Sequence, residues 1–293
     1  SFVSASNDGK LRFWDTRKGD LLWETQPQED QDSEIYEMYA AAFHPTQARV
    51  VSGGRDGNIR LWDVQEQTKT TQWKAHEKRI LAIAYSPDGQ YIASASGDDT
   101  VAIWDAKTQE LKHRLQHEQD VWTVAFSPDG EHLASGSSDD TVRIWRMATG
   151  EEIARLSEHT NDVASVAFSA DGEQLASASF DRTIRLWNTA DMSEVKPDGP
   201  PLVGHTQTVW AVEFFKNRPR LVSGSADLSL RWWPSKWSAW PSMACDRLKN
   251  HPLLALSQDE EIADSQDVET ADPEIVEIAR EGKSACDTSF WQK

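Results

Sequence analysis

Six tryptophans of this chain each follow an aspartate that lies six residues upstream. The pairs are Asp8 and Trp14, Asp56 and Trp62, Asp98 and Trp104, Asp139 and Trp145, Asp181 and Trp187, and Asp227 and Trp233. Successive tryptophans of the set lie 48, 42, 41, 42 and 46 residues apart. An internal repeat of about 42 residues is typical of architectures in which each repeat is one small unit that buries its faces against its neighbours. This period limits the possible folds more than any other feature of the chain.

The clearest copy runs from His117 to Leu156 and predicts four short strands. Alternating apolar residues from Val121 to Phe126 indicate a strand, and the SPDG sequence after them predicts a turn, because proline fixes φ and glycine allows positive φ. HLASGSS indicates a second strand, and TVRIW a third strand that ends at Trp145. A Thr-Gly turn then precedes a fourth strand. Four antiparallel strands in about 42 residues are one blade of a β-propeller.

These motifs resemble the WD-repeat (WD40) β-propeller family. The matching features are the spaced His, Ser, Asp and Trp, the SPDG turn and the SGS-x-D-x-T-V-R-I-W run, which recur over residues 1–234. The resemblance implies a hydrogen-bonded tetrad of His, Ser or Thr, Asp and Trp in each regular blade. The implied sets are His76, Asp98 and Trp104; His117, Asp139 and Trp145; His159, Asp181 and Trp187; and His205, Asp227 and Trp233. The serine of each set is open between Ser94 and Ser96, Ser135 and Ser137, Ser177 and Ser179, or Ser223 and Ser225.

Ser, His and Asp also form the catalytic triad of many hydrolases, so a catalytic role has to be weighed. Here the His and Asp recur at the same spacing in four copies, which a single active site does not require. A buried Trp N–H needs an acceptor and a buried Asp needs donors. The stability of the fold is therefore enough to explain why His, Ser, Asp and Trp recur together. We therefore assign the tetrads a structural role.

The expected fold is all-β: a propeller of WD-type four-stranded blades over residues 1–234, followed by a short α-helical tail. Four blades are full and two are partial, with bounds of about 1–26, 36–75, 80–116, 121–157, 163–203 and 209–233. The first copy lacks a first strand and the last lacks an outer strand, so we expect a C-terminal fragment of a longer protein. In the second blade Glu34 takes the histidine position and HPTQ replaces the SPDG turn, which predicts a less regular blade.

The remaining segment, residues 235–293, has a different composition, with 12 Asp and Glu against 6 Lys and Arg. Helical spacing of Trp237, Trp240, Ala244 and Leu248, together with an N-cap at Asp272, predicts an acidic, partly helical tail. Its W-x-x-W and ACDRLxxHP sequences resemble the tail that follows propellers in large bacterial WD-repeat proteins. That resemblance implies an upstream NTPase of the apoptotic-ATPase type or a protein kinase, and a docking or capping role for the tail.

Charge and composition exclude several classes of function. The formal charge of −18 argues against a nucleic-acid partner, because affinity for phosphates comes from Lys and Arg. The two cysteines, Cys245 and Cys286, are too few for a disulfide framework, and we expect both to be reduced. No signal segment or membrane-length apolar run occurs, so we expect a cytoplasmic protein without a membrane partner.

The motifs of enzymes and metal proteins are missing from the sequence. It contains no phosphate-binding Gly-Lys loop, no G-x-S-x-G elbow and no His or Cys pattern with metal-ligand spacing. We therefore expect no metal, no cofactor and no enzymatic activity in this chain, with any catalytic activity in a region upstream of it.

The family resemblance implies that partners dock on the face where three positions of each blade project. These are the residue before the first-strand Val, the residue after it, and the residue before the turn Asp. The candidates for partner binding at these positions are Tyr39, Arg55, Arg79, Trp122, Phe180 and Trp210. Aromatic and arginine side chains are enriched at interaction hot spots. The alternative is that Trp122 and Trp210 only pack around the central channel.

We predict a non-catalytic scaffold that recognises a protein or peptide through this face. The alternative is a regulatory or sensor propeller of a larger signalling protein, whose NTPase or kinase domain lies upstream. A weaker idea is a propeller hydrolase, for which Asp120 and Asp162 are the nearest acidic pair. A solvated rim explains these two carboxylates more simply.

Overall fold

The computed structural model describes residues 2–27, 37–216 and 218–235. These residues form 22 β-strands in six antiparallel sheets. Within these ranges there is no helix, and so none that could cross a membrane. The predicted helical tail and the Glu34 position lie outside the described residues.

Each sheet is one blade, and its strands pair in chain order. Blade 1 contains β1 (Phe2–Ala5), β2 (Leu11–Trp14) and β3 (Leu21–Glu24). Blade 2 contains β4 (Met38–Phe43), β5 (Arg49–Gly54), β6 (Asn58–Asp63) and β7 (Thr68–Lys74). Blade 3 contains β8 (Ile80–Tyr85), β9 (Tyr91–Ser96), β10 (Thr100–Asp105) and β11 (Leu111–Gln116).

The second half of the chain repeats this pattern. Blade 4 contains β12 (Val121–Phe126), β13 (His132–Ser137), β14 (Val142–Arg146) and β15 (Glu152–Leu156). Blade 5 contains β16 (Val163–Phe168), β17 (Gln174–Ser179), β18 (Ile184–Asn188) and the short β19 (Lys196–Pro197). Blade 6 contains β20 (Val209–Phe214), β21 (Arg220–Ser225) and β22 (Leu230–Pro234).

The first strands of blades 2 to 6 lie side by side. Each of these inner strands contacts the next one, from β4 through β8, β12 and β16 to β20, and β1 contacts β4. Side chains join some of them directly: the Val166 N–H lies 3.3 Å from Thr123 Oγ1, and the Val212 N–H lies 3.3 Å from Ser165 Oγ. Successive small sheets whose inner strands lie side by side form a β-propeller, so the prediction of an all-β propeller with four full and two partial blades is confirmed.

The core consists of layers between neighbouring blades. Between blades 3 and 4, Val101 and Ile103 pack against Leu133 and Trp145, and all four are buried. Side chains alternate between the two faces of a strand, so a sheet that lies between two others packs on both of them. Burying one such side chain contributes about 1.5–3 kcal/mol, and the repeat therefore stabilises the fold through its blade interfaces.

One side of blade 6 departs from this pattern. Leu230 and Trp232 on β22 are 72% and 60% exposed, whereas Val142 and Ile144 at the same positions of blade 4 are each 0% exposed. Trp232 stacks on Phe215 at a centroid distance of 5.0 Å. In blades 2 to 4 this side of the third strand packs against the following sheet, so its burial depends on a neighbouring blade.

Blade 2 is more regular than predicted. Its four strands have bulges at the same positions as those of blade 3, and its HPTQ turn is closed by an imidazole. His44 Nδ1 accepts the backbone N–H groups of Thr46 and Gln47, at 3.2 and 3.1 Å. In the SPDG turn of blade 3 a serine hydroxyl is the acceptor, since Ser86 Oγ accepts the Tyr91 N–H at 2.9 Å. The strands of blade 2 therefore keep the pattern of blade 3, although different groups close its turn.

The turn between the second and third strands has the same backbone conformation in every blade. The residue after the aspartate has positive φ each time: Gly9 at 76°, Gly57 at 70°, Asp99 at 70°, Asp140 at 64°, Arg182 at 73° and Leu228 at 65°. In blade 3 the Asp98 carboxylate also accepts the Thr100 N–H at 3.2 Å, which closes the turn locally. A turn of fixed shape explains why Asp and Trp are always six residues apart.

Candidate interaction face

A β-bulge near the start of each inner strand positions the predicted projecting residues. The register shifts between the first and third residues of all five strands, so that the second residue is left outside the regular pairing. The residues at the bulges are Tyr39, Leu81, Trp122, Ala164 and Trp210. A bulge redirects the side chain of its extra residue. These are the positions that the sequence indicated as following the first-strand Val.

One repeated backbone hydrogen bond joins the other two projecting positions of each blade. The residue before the turn Asp donates its N–H to the carbonyl of the residue before the inner strand's first residue. The pairs are Arg55 to Glu37 at 2.8 Å, Gly97 to Arg79 at 3.0 Å, and Ser138 to Asp120, Phe180 to Asp162 and Ala226 to Thr208 at 2.9 Å each. We call the surface formed by these pairs and the five bulge residues the projecting face.

The tetrads lie beneath this face. In blade 4, Trp145 Nε1 donates to Ser135 Oγ at 2.8 Å, Ser135 Oγ lies 2.7 Å from His117 Nε2, and His117 Nδ1 lies 3.1 Å from Asp139 Oδ2. The serine hydroxyl accepts from the indole and donates to Nε2 of the imidazole. The imidazole must therefore carry its proton on Nδ1, from which it donates to the aspartate. The same connections join His76, Ser94, Asp98 and Trp104; His159, Ser177, Asp181 and Trp187; and His205, Ser223, Asp227 and Trp233.

The structure also settles which serine takes part. It is the first of each pair, represented by Ser135, because that hydroxyl lies level with the indole of the third strand. The second serine, represented by Ser137, has another role. Its hydroxyl accepts the Asp139 N–H at 3.1 Å and donates to the Gln119 carbonyl, also at 3.1 Å. It therefore positions the turn that carries the tetrad aspartate.

The tetrad aspartates are held as carboxylates. Burial raises the pKa of Asp98, Asp139 and Asp181, but hydrogen bonds from the histidine, threonine and backbone outweigh it, and each pKa lies well below its usual range. Burial is the main cause that lowers the pKa of His117, so the neutral imidazole is favoured. A neutral imidazole can accept a hydrogen bond from the serine hydroxyl and donate one to the aspartate carboxylate, as the tetrad requires.

A guanidinium group supports most tetrad positions. Arg143, four residues after Asp139, donates to the Asp139 carboxylate at 2.8 Å and to the Gln116 carbonyl at 2.8 Å. In blades 1 and 2, where the structure describes no tetrad histidine, Arg12 and Arg60 pair with Asp8 and Asp56 in the same way. The third-strand tryptophans of these two blades still donate to serines, Trp14 to Ser4 at 2.9 Å and Trp62 to Ser52 at 2.8 Å.

Three aromatic side chains from three successive blades meet on the projecting face. The rings of Phe180 and Trp210 lie edge to face at 4.8 Å, and Trp122 lies 5.8 Å from Phe180 and 6.5 Å from Trp210. Trp210 is 49% exposed, and the other two are half-buried. We call these three residues the aromatic patch.

A carboxylate is fixed at the edge of the aromatic patch. Asp162 Oδ2 accepts the Trp122 indole N–H at 3.2 Å and the Ser138 hydroxyl at 2.8 Å. Ser138 Oγ in turn accepts the same indole N–H at 2.7 Å. Burial and the neighbouring Asp162 carboxylate raise the pKa of Asp140. Two carboxylates, Asp140 and Asp162, therefore lie near each other beside the aromatic patch.

The other candidate residues form a charged group on blades 2 to 4. Tyr39 donates its hydroxyl to the Glu37 carboxylate, and burial and this contact raise the tyrosine pKa. Arg55 lies 3.9 Å from Glu37, and Arg79 pairs with Asp120 at 3.0 Å. The candidates thus separate into a charged group around Tyr39 and the aromatic patch around Trp210, with Asp120 at the blade 4 end of the charged group.

The residues that sequence reasoning left out of the partner-binding candidates are the polar partners of these candidates. Ser138 and Asp162 orient the Trp122 indole, and Glu37 orients Tyr39. All three occupy projecting positions and could have been found by asking which neighbours could accept an indole or phenol hydrogen. Asp120 and Asp162, the acidic pair considered for hydrolysis, are engaged with Arg79 and with Trp122 and Ser138, respectively. In the part of the chain that the structure describes, no three His, Cys, Asp or Glu residues group as metal ligands.

Comparison with known proteins places the chain in a family. Residues 38–199 match the family model for the second β-propeller of echinoderm microtubule-associated protein, and residues 200–234 match the WD domain, G-beta repeat. Similar proteins include pre-mRNA-processing factor 19 homolog 2 of Arabidopsis thaliana, 34% identical over 36% of this chain and 19% of its own length. Coronin-7 of Rattus norvegicus is 31% identical over 36% of this chain and 12% of its own length.

A third relative, cell division cycle 20.5, cofactor of APC complex, of Arabidopsis thaliana, is 29% identical over 33% of this chain and 21% of its own length. The alignments span about a fifth or less of the length of these relatives. The first family match spans more than half of the 293 residues, and the WD-repeat match continues directly from it. The chain therefore belongs to the WD-repeat β-propeller family represented by the second β-propeller of echinoderm microtubule-associated protein.

Proposed function

We propose that this chain is a non-catalytic recognition module that binds a protein or peptide on the projecting face, with the aromatic patch as its main contact. The observation that carries the proposal is the position of Trp210. The third-strand tryptophans of blades 2 to 6 are at most 7% exposed, whereas Trp210, on a bulge beside Trp122 and Phe180, is 49% exposed. A cluster of aromatic rings that is partly open to solvent is typical of an interaction surface.

The family supports this proposal. WD-repeat propellers are in general interaction modules, and one relative is named as a cofactor of a complex. A polypeptide partner also suits the charge, since −18 opposes binding to nucleic-acid phosphates. The proposal takes the module to act in the cytoplasm and without a membrane partner.

The experiment compares the proteins captured from a lysate of the source cells by the unaltered chain and by variants. Trp122→Ala combined with Trp210→Ala should abolish capture of the specific partners and leave the melting temperature nearly unchanged. Trp232→Ala is the matched control, because this tryptophan is 60% exposed but lies on β22, away from the bulges. It should retain every partner.

Two results would contradict the proposal. If the double variant captures the same proteins as the unaltered chain, the aromatic patch is not the contact. If the double variant loses its cooperative unfolding transition, Trp122 and Trp210 serve to pack the blades around the channel, which is the alternative that the sequence left open.

A second candidate is a propeller that regulates a catalytic domain of the same protein. It rests on the resemblance of the segment after Trp233 to the tails of large bacterial WD-repeat signalling proteins. The family matches end at residue 234 and do not extend into that segment, so we rank this candidate second. A kinase catalytic loop or a Gly-x4-Gly-Lys-Ser/Thr loop upstream would favour it.

A further inference from the structure

We infer that the aromatic patch and Asp162 bind a basic side chain, preferably arginine, of an extended partner peptide. The inference rests on the proposed function and adds to it the chemistry of the group that is recognised. It is drawn from the rings, the carboxylates and the charges of blades 4 to 6.

The rings supply the first part of the site. Phe180 lies edge to face with Trp210, so the edge of one ring supports the face of the other, and half of the Trp210 surface is open. The faces of indole rings carry negative potential and attract cations, most strongly when the cation is partly desolvated. A planar guanidinium can also stack on such a face, which an ammonium group cannot do.

Asp162 supplies the second part. Its carboxylate is oriented by two donors, the Trp122 indole at 3.2 Å and the Ser138 hydroxyl at 2.8 Å. Both donors are neutral, so they fix the position of the carboxylate without cancelling its charge. An arginine stacked on the aromatic patch could therefore donate to a carboxylate that is already in place, which reduces the entropy lost on binding.

The local charge favours a cation over an anion. Asp120, the equivalent residue one blade earlier, is paired with Arg79 at 3.0 Å. Among the described residues, neither Asp162 nor Asp140 lies within ion-pair distance of a Lys, Arg or His. Burial raises the pKa of Asp140, and repulsion from the Asp162 carboxylate raises it further. A basic ligand group would relieve this repulsion, and an acidic one would increase it.

The test is selection of random peptides displayed on phage against the unaltered chain. We expect the selected peptides to share an arginine or lysine, and to bind at least about tenfold more weakly to Asp162→Asn, because a hydrogen bond between charged groups is lost. Asp120→Asn is the matched control, since it removes a paired carboxylate of the same face, and it should change affinity less than twofold, roughly the effect of an exposed ion pair.

Asp162→Asn also removes an acceptor of the Trp122 indole, so a second experiment changes the peptide and leaves the protein unaltered. Replacing the selected arginine by citrulline keeps the planar group and removes its charge, and it should also weaken binding at least about tenfold. Equal affinity of the arginine and citrulline peptides would overturn the inference.

Other outcomes separate the inference from the proposed function. If the selected peptides lack basic residues but still require Trp122 and Trp210, the inference is wrong and the recognition module stands. If no selected peptide depends on these two tryptophans, the proposed function itself fails, and the inference fails with it.

Discussion

Ala102 on β10 is the cross-strand partner of Arg114 on β11, and the arginine supplies the guanidinium that the alanine lacks. Arg114 donates to Thr100 Oγ1 at 3.1 Å and to the Ala75 carbonyl at 3.0 Å. In blade 4, Arg143 at the position of Ala102 makes the equivalent contacts to Thr141 and to the Gln116 carbonyl. The guanidinium beside the tetrad therefore comes from the third strand in one blade and from the outer strand in the other.

Arg114→Ala should lower the free energy of unfolding by about 1 kcal/mol, because charge-assisted hydrogen bonds are lost at a partly exposed site. Adding Ala102→Arg to this variant should restore most of the loss, since Arg143 is accommodated at the same place in blade 4. Urea denaturation of the unaltered chain, the two single variants and the double variant gives the complete double-mutant cycle.

Arg155→Ala is the control for this cycle. Arg155 occupies the Arg114 position of blade 4 but pairs with Glu152 at the surface, so its removal should cost less than about 0.5 kcal/mol. A double variant no more stable than Arg114→Ala would show that the two arginines are not interchangeable.

Ser135→Ala should destabilise the chain more than Ser52→Ala. Ser135 is the partner of both the Trp145 indole and the His117 imidazole, whereas among the described residues Ser52 is bonded to the Trp62 indole alone. A buried polar group without a partner costs about 1–3 kcal/mol, so we expect about twice the loss at Ser135. Chemical denaturation measures both, and equal losses would mean that the histidine finds another partner.

Stability should fall in two steps as the pH is lowered. Burial lowers the pKa of His117 in the folded state, so the folded chain binds fewer protons than the unfolded chain and stability declines below about pH 6.5. The tetrad aspartates have lowered folded-state pKa values, so the stability they supply is complete above about pH 4 and is lost as the pH falls further.

Asp139→Asn identifies the source of the second step. This variant is less stable at neutral pH, but it has no carboxylate to protonate at that site, so its stability should converge with that of the unaltered chain in acid. Denaturation midpoints measured across the acid range check this. Curves that stay parallel below about pH 4 would assign the acid step to other groups.

Substitutions at the residue after the turn aspartate should change stability in opposite directions in two of the blades. Leu228 has a φ of 65° and is 97% exposed, so Leu228→Gly relieves strain without loss of packing and should stabilise the chain by about 1 kcal/mol. Gly57 has a φ of 70°, and a Cβ there would lie 2.3 Å from the His76 carbonyl oxygen. Gly57→Ala should therefore cost more than about 1 kcal/mol. Thermal melting distinguishes the two, and a loss at Leu228→Gly would show that the leucine makes a stabilising contact.

The spacing of Asp and Trp was sufficient to predict the blades, because one turn and one third strand impose that distance in every copy. The projecting positions were also predictable, since they are counted from the same landmarks. The choice between Ser135 and Ser137 was not, because both point to the same side of β13 and only the register with β14 brings one of them level with the indole.

Other features depend on contacts between strands that are far apart in sequence. The exchange of Arg143 for Arg114 is visible only when the pairing of β10 with β11 is known. The pairing of Trp122 with Asp162 joins residues on neighbouring blades. The closing of the HPTQ turn by His44 was missed because the ring was not considered as an acceptor for the backbone.

The bulges at the starts of the inner strands allow the exposed side chain to differ from blade to blade. The backbone hydrogen bonds between the strands stay the same. Five bulge positions hold Tyr, Leu, Trp, Ala and Trp on sheets whose hydrogen bonding is otherwise equivalent. Residues that hold the blades together and residues displayed at the bulges are therefore different residues, although they alternate within a few positions of each other. Under the proposed function, single substitutions at the bulges would change which partner is bound and leave the packing between the blades in place.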